Sequence, residues 1–178
     1  MTFNSKDRTE ILENAICWIV VFAMFVYGGA KFIQFEGASA IDKTVSKMTG
    51  MELMWAFYGY SKSYAVTLGL MEIIGGILIF IKKTRIIGCL FVSAILVNVI
   101  FQDIYFEVHL GALKTAILYQ VIILIVLWRN RQRLIQSVKI LINSDRLEES
   151  KMKFFVKLGI AFVFFVVLRI VEFYLTIR

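Results

Sequence analysis

Five apolar blocks dominate this chain, at residues 14–33, 64–81, 86–102, 110–128 and 154–176. Each is long enough, at 1.5 Å of helical rise per residue, to cross a hydrocarbon core about 30 Å thick. Helix is the expected conformation, because an open strand would leave backbone groups without partners in lipid. Barrel strands would alternate every second residue, and these blocks do not. The expected fold class is therefore an all-α membrane protein.

Composition agrees with that reading. Of 178 residues, 60% are hydrophobic and 19% charged, where soluble domains are about half apolar and a quarter charged. Proline is absent, so no span is kinked by it. Outside the blocks no stretch is long enough for a large soluble domain. The net charge of +7 does not argue for nucleic acid, because the basic residues gather at the ends of apolar blocks. Cys17 and Cys89 lie inside blocks and form no C-x-x-C, so thiol–disulfide chemistry has no support. Glu10 and Glu13 interrupt the basic lead-in to the first block, which reads as a retained span rather than a cleaved signal.

The connections set an expected topology. The second and third blocks are joined by Lys82-Lys83-Thr84-Arg85. The third and fourth are joined by residues 103–109, without Lys or Arg. The basic segment 129–153 follows, with Arg129, Arg131, Arg133, Lys139, Arg146, Lys151 and Lys153. Alternation puts residues 1–13, the Lys82–Arg85 turn and 129–153 on one side. The positive-inside rule makes that side cytoplasmic, and leaves the C-terminus periplasmic or external in a bacterial inner membrane.

Two other stretches are too short to span. Residues 35–63 form an outward connection, in which Ile41, Val45 and Met48 fall at helical spacing. The run Met51–Tyr58 is expected to lie in the interface or to cap the bundle. Residues 132–142 place apolar side chains at 134, 135, 138, 141 and 142, as an amphipathic helix on an anionic leaflet would. A solvated linker helix is the alternative.

The middle of the chain carries a family resemblance. Leu68-Gly69-Leu70-Met71-Glu72-Ile73-Ile74-Gly75-Gly76-Ile77-Leu78 precedes a short basic turn. Arg85-Ile86-Ile87-Gly88-Cys89 then leads into an apolar helix through Asn98. With Tyr27-Gly28-Gly29-Ala30-Lys31-Phe32 at the end of the first block, residues 14–128 resemble the DoxX-like family of small membrane proteins. The resemblance implies a four-helix transmembrane bundle with both ends cytoplasmic. Residues 129–153 and a fifth helix over 154–178 would be additions to it. The family takes its name from a subunit of a thiosulfate:quinone oxidoreductase. Other members are linked to quinol oxidation, oxidative-stress complexes and maturation of other proteins.

Polar groups within the blocks are the candidate site. A charge near the bilayer centre costs roughly 2.5–3.5 kcal/mol, so such groups must face the bundle or a cavity. Glu72 lies eight residues into the second block, about 12 Å deep. Lys31, Asn98 and Lys114 fall in the same outward half. Asp103 and Glu107, one turn apart if the third helix continues, join His109 at its mouth. One reading is an outward-facing pocket for a quinone headgroup, a lipid headgroup or a small polar ligand. Glu72 would sit at its inner end, with Lys114 or Lys31 as counter-charge. The other is a structural ion pair with solvated mouth residues. Metal is not expected, since iron sites take two histidines or paired Glu-x-x-His motifs, and the chain has one His. Gly69, Gly75, Gly76, Ala112 and Ala116 read as positions for close helix packing. Arg169 and Glu172 can pair on the fifth helix, either snorkelling or meeting a membrane-protein partner.

The expected role is an accessory or partner-binding membrane subunit without catalytic activity of its own. Alternatives are a catalytic subunit of a quinone-linked oxidoreductase working through Glu72, a structural assembly factor, and a small-solute transporter. The lack of an inverted repeat makes the transporter the weakest of these.

Overall fold

A computed structural model describes residues 4–142 and 150–176, and every element among them is helical. The helices are α1 (Ser5–Ala30), α2 (Gly50–Tyr60), α3 (Lys62–Phe80), α4 (Arg85–Tyr105), α5 (Leu110–Arg129), α6 (Arg131–Ile142) and α7 (Lys151–Thr176). Five of them, α1, α3, α4, α5 and α7, are long and apolar enough to cross a membrane. The chain divides into two compact units, Met1–Leu134 and Ile135–Arg178.

In the first unit α1 packs on α3, α3 on α4, α4 on α5, and α5 closes back on α1. Met24, Val20, Ile79, Val92, Ile123 and Val126 fill the seam between them. The opposite faces carry exposed Trp18, Phe22, Phe80, Ile87, Leu118 and Leu124, the apolar surface that lipid would cover. Lipid is as apolar as these side chains, so association relies on close packing and interhelical hydrogen bonds. Gly28 and Gly69 supply the closest packing. A Cβ on Gly28 would lie 2.6 Å from the Gly69 carbonyl oxygen, and a Cβ on Gly69 would strike that of Gly28. Gly88 does the same between α4 and α3, where a Cβ would lie 2.6 Å from the Ile79 amide nitrogen. Gln120 of α5 donates to Ser93 Oγ of α4 at 2.8 Å.

The helix limits differ from the apolar blocks for local reasons. α1 starts nine residues before its block because Asn4 and Asp7 form a reciprocal capping box. His109 caps α5, its Nδ1 accepting from the Gly111 and Ala112 amides at 3.1 and 3.4 Å. α4 ends at Tyr105, and Glu107 has a φ of +49°. The third helix therefore does not continue, and Asp103 and Glu107 do not share a helical face. The segment Ile41–Met48 is also not a continuous helix. It holds one short 3₁₀ element at Val45–Lys47, and another precedes it at Glu36–Ala40. α2 is a true helix, opened by a capping box between Thr49 and Glu52.

The second unit contains most of α6 and all of α7. Ile135, Val138, Leu141 and Ile142 recur along α6 at helical spacing. In α7 the Arg169 guanidinium pairs with Glu172 at 2.5 Å. Arg146 of the basic segment lies outside the described residues.

Candidate functional site

A cavity of about 560 Å³ opens among α1, α2, α3, α4 and α5, at the end of the bundle where α1 finishes and α3 begins. The Gly28–Gly69 contact builds it. Lys31 follows Gly28 by three residues and Glu72 follows Gly69 by three, so the close approach of the two backbones brings their side chains together. A Cβ on Gly69 would also lie 2.8 Å from Lys31 Cβ.

Lys31 Nζ lies 3.8 Å from Glu72 Oε1, an ion pair longer than a hydrogen bond. The ammonium also donates to Gln34 Oε1 at 3.3 Å and sits 5.7 Å from the centre of the Phe35 ring. Glu72 is only 5% exposed, and its Oε2 has no hydrogen-bond partner among the described residues. Asp103, 7% exposed, likewise leaves Oδ2 unpartnered. Both carboxyls line the cavity. Buried polar atoms are usually paired, and a lone buried carboxylate oxygen is costly.

Apart from Gln34, Asn98, Gln102 and His109, the rest of the wall is largely apolar and soft. Met24, Met51, Met54 and Met71 contribute thioethers, and Tyr27 and Tyr119 face each other with ring centres 6.3 Å apart. Ala112 and Ala116 of α5 line the cavity, so their small side chains widen it.

α2 roofs the cavity. Trp55 and Tyr58 meet Phe35 at ring-centre distances of 5.2 and 5.1 Å. Tyr58 donates its hydroxyl to Gln102 Oε1 of α4 at 2.8 Å. Gly50 sits against the Phe106 carbonyl so closely that any Cβ would collide with it. Burial also raises the Tyr58 phenol above its ordinary value, which keeps it a hydrogen-bond donor.

Of the residues expected from sequence, the structure brings Lys31, Glu72, Asn98, Asp103 and His109 to one cavity. Lys114 and Glu107 are exposed and do not line it. Lys31, not Lys114, stands beside Glu72, because the glycine contact turns the end of α1 inward. Glu107 is carried away by the turn after α4. Among the described residues no group of three His, Cys, Asp or Glu side chains could hold a metal ion.

Sequence reasoning missed a second cluster at the opposite end of the bundle. Arg85, 6% exposed, donates to Glu13 Oε1 at 3.2 Å, Asn14 Oδ1 at 2.9 Å and the Ile79 carbonyl at 3.2 Å. Arg129 Nε reaches the other oxygen of Glu13 at 3.1 Å. Lys82 pairs with Glu10 beside it. This clasp joins α1, α4 and α5. Its signal was Glu13, an acidic residue directly ahead of an apolar block.

The fold and the cavity define an all-helical chain with the spans of a multi-pass membrane protein. It belongs to the same family as the "Uncharacterized protein YwoB" of Bacillus subtilis (strain 168). The two are 32% identical over 117 residues, 64% of this chain and 73% of that protein. No family model matches the chain, and no solved structure matches it.

Proposed function

We propose that this chain is a DoxX-like inner-membrane protein in which α1, α3, α4 and α5 form the family's four-helix bundle. The basic end, with Arg85 and Arg129, faces the cytoplasm. The cavity faces outward and receives the head of a quinone-like or lipid ligand, in an accessory or partner-binding subunit. The observation that carries this reading is Glu72: deeply buried, paired on one side with Lys31, and open on the other to a cavity with apolar walls. A carboxylate serving only as a structural partner would be expected to have both oxygens engaged. Ligand pockets commonly have this form, an apolar wall with a few convergent polar groups.

The test is purification in mild detergent, followed by extraction and mass spectrometry of bound small molecules. A quinone or lipid should be retained by the wild type and lost in Glu72→Ala at equal membrane abundance. If Glu72→Ala merely depletes the folded protein and the wild type retains nothing, Glu72 is a structural ion-pair member.

A further inference from the structure

The balance of charge and hydrogen-bonding groups in the cavity restricts what its occupant can be. Two carboxyls line it, each more than nine-tenths buried and each with an oxygen that accepts no hydrogen bond. One lysine answers them, already engaged with Gln34 and the face of Phe35. At the mouth, His109 spends Nδ1 on capping α5. Gln34, Asn98 and Gln102 line the cavity with amide groups, yet no described side chain donates to Glu72 Oε2 or Asp103 Oδ2, so both oxygens are left as acceptors beside a single lysine. Tyr27, Trp55 and Tyr119 line the same cavity, and aromatic rings attract a desolvated cation. A ligand head offering only carbonyl oxygens would leave both carboxylate oxygens unpartnered.

We infer that the cavity is a site for an amphiphile with a primary ammonium head. Its N–H groups meet Glu72 Oε2 and Asp103 Oδ2, and its tail follows the methionine-lined wall. This rests on reading the cavity as a ligand site and specifies the ligand within that reading. A primary ammonium supplies three donors and one charge in a compact group. Bonds from it to carboxylates are charge-assisted and about twice as strong as neutral ones. A quaternary ammonium carries the charge but no donor, so it separates hydrogen bonding from simple attraction. The same head occurs on free lipophilic amines and on ethanolamine phospholipids.

The test is equilibrium binding to the full chain in neutral detergent micelles, with protein-free micelles as blank. The probes are dodecylamine, lysophosphatidylethanolamine, lysophosphatidylcholine, dodecyltrimethylammonium and decylubiquinone. Saturable binding of dodecylamine or lysophosphatidylethanolamine is expected, at least about tenfold tighter than lysophosphatidylcholine or dodecyltrimethylammonium. Dodecylamine alone identifies a free amine as the source; lysophosphatidylethanolamine identifies a lipid head. Glu72→Gln and Asp103→Asn should each weaken the ammonium probes by about tenfold, with helicity and monodispersity unchanged. The comparison among probes on wild-type protein holds even if either variant fails to fold. Equal binding of primary and quaternary heads overturns the inference. So does binding of decylubiquinone alone, which leaves the ligand-site reading standing. Absence of binding by every probe overturns the ligand-site reading as well.

Discussion

Gly28 of α1 and Gly69 of α3 meet backbone to backbone, each occupying the space in which the other would need a Cβ. One turn beyond this contact stand Lys31 and Glu72, so the crossing that joins the helices also sets the site. Gly69→Ala should force α3 away from α1 and cost about 1–3 kcal/mol, as overpacking typically does. Thermal unfolding in detergent reads the loss. Gly29→Ala is the control, because a Cβ there meets nothing within 4 Å.

Removing one member of the Lys31–Glu72 pair should be worse than removing both charges. Lys31→Met leaves a buried carboxylate alone and should cost about 3–5 kcal/mol. Lys31→Met combined with Glu72→Gln should recover much of that, and a double-mutant cycle measures the coupling. Additive effects would mean that the two side chains do not interact.

At the far end Arg85 uses three nitrogens on three different partners. Arg85→Lys keeps the charge but not the planar fork, so it should reduce stability clearly while remaining folded. Arg85→Ala should leave Glu13 with Arg129 alone and lower the yield of folded protein further. Size-exclusion profiles and unfolding temperatures should rank wild type above Arg85→Lys above Arg85→Ala.

The roof helix should respond to pH. Lys43 donates to Glu52 at 2.5 Å, and this bond, followed by that of the Thr49 amide, holds the Glu52 carboxyl below its ordinary value of 4.5. A carboxyl lowered by folding stabilises the folded form above its unfolded pKa. That contribution fades as pH falls through the lower folded value. Amide exchange at the start of α2 should therefore speed up, relative to α3, below about pH 4.5. Glu52→Gln should show fast exchange at neutral pH and lose the pH dependence.

The spans were legible in the sequence because length and hydropathy alone decide them in lipid. Glu72, Lys31, Asn98 and Asp103 were expected at one level along the helices, and one cavity gathers them. What a one-dimensional reading lacks is azimuth. Lys114 has suitable depth but points away, whereas Lys31 is turned inward by the glycine crossing. The end of α4 carried no proline or glycine at Phe106 or Glu107 to announce it, so Glu107 was assigned to a face that does not exist. Ala116 packs in the core as its spacing suggested and also, with Ala112, lines the cavity, since small side chains make room as readily for a ligand as for a helix.

The most direct measurement is an experimental density map of the full chain in a lipid nanodisc. The account predicts ordered non-protein density inside the bundle, touching Glu72 Oε2 and Asp103 Oδ2 and walled from bulk lipid by α2. A Glu72 carboxylate turned toward surrounding acyl chains, or a bundle collapsed shut at that position, would contradict it.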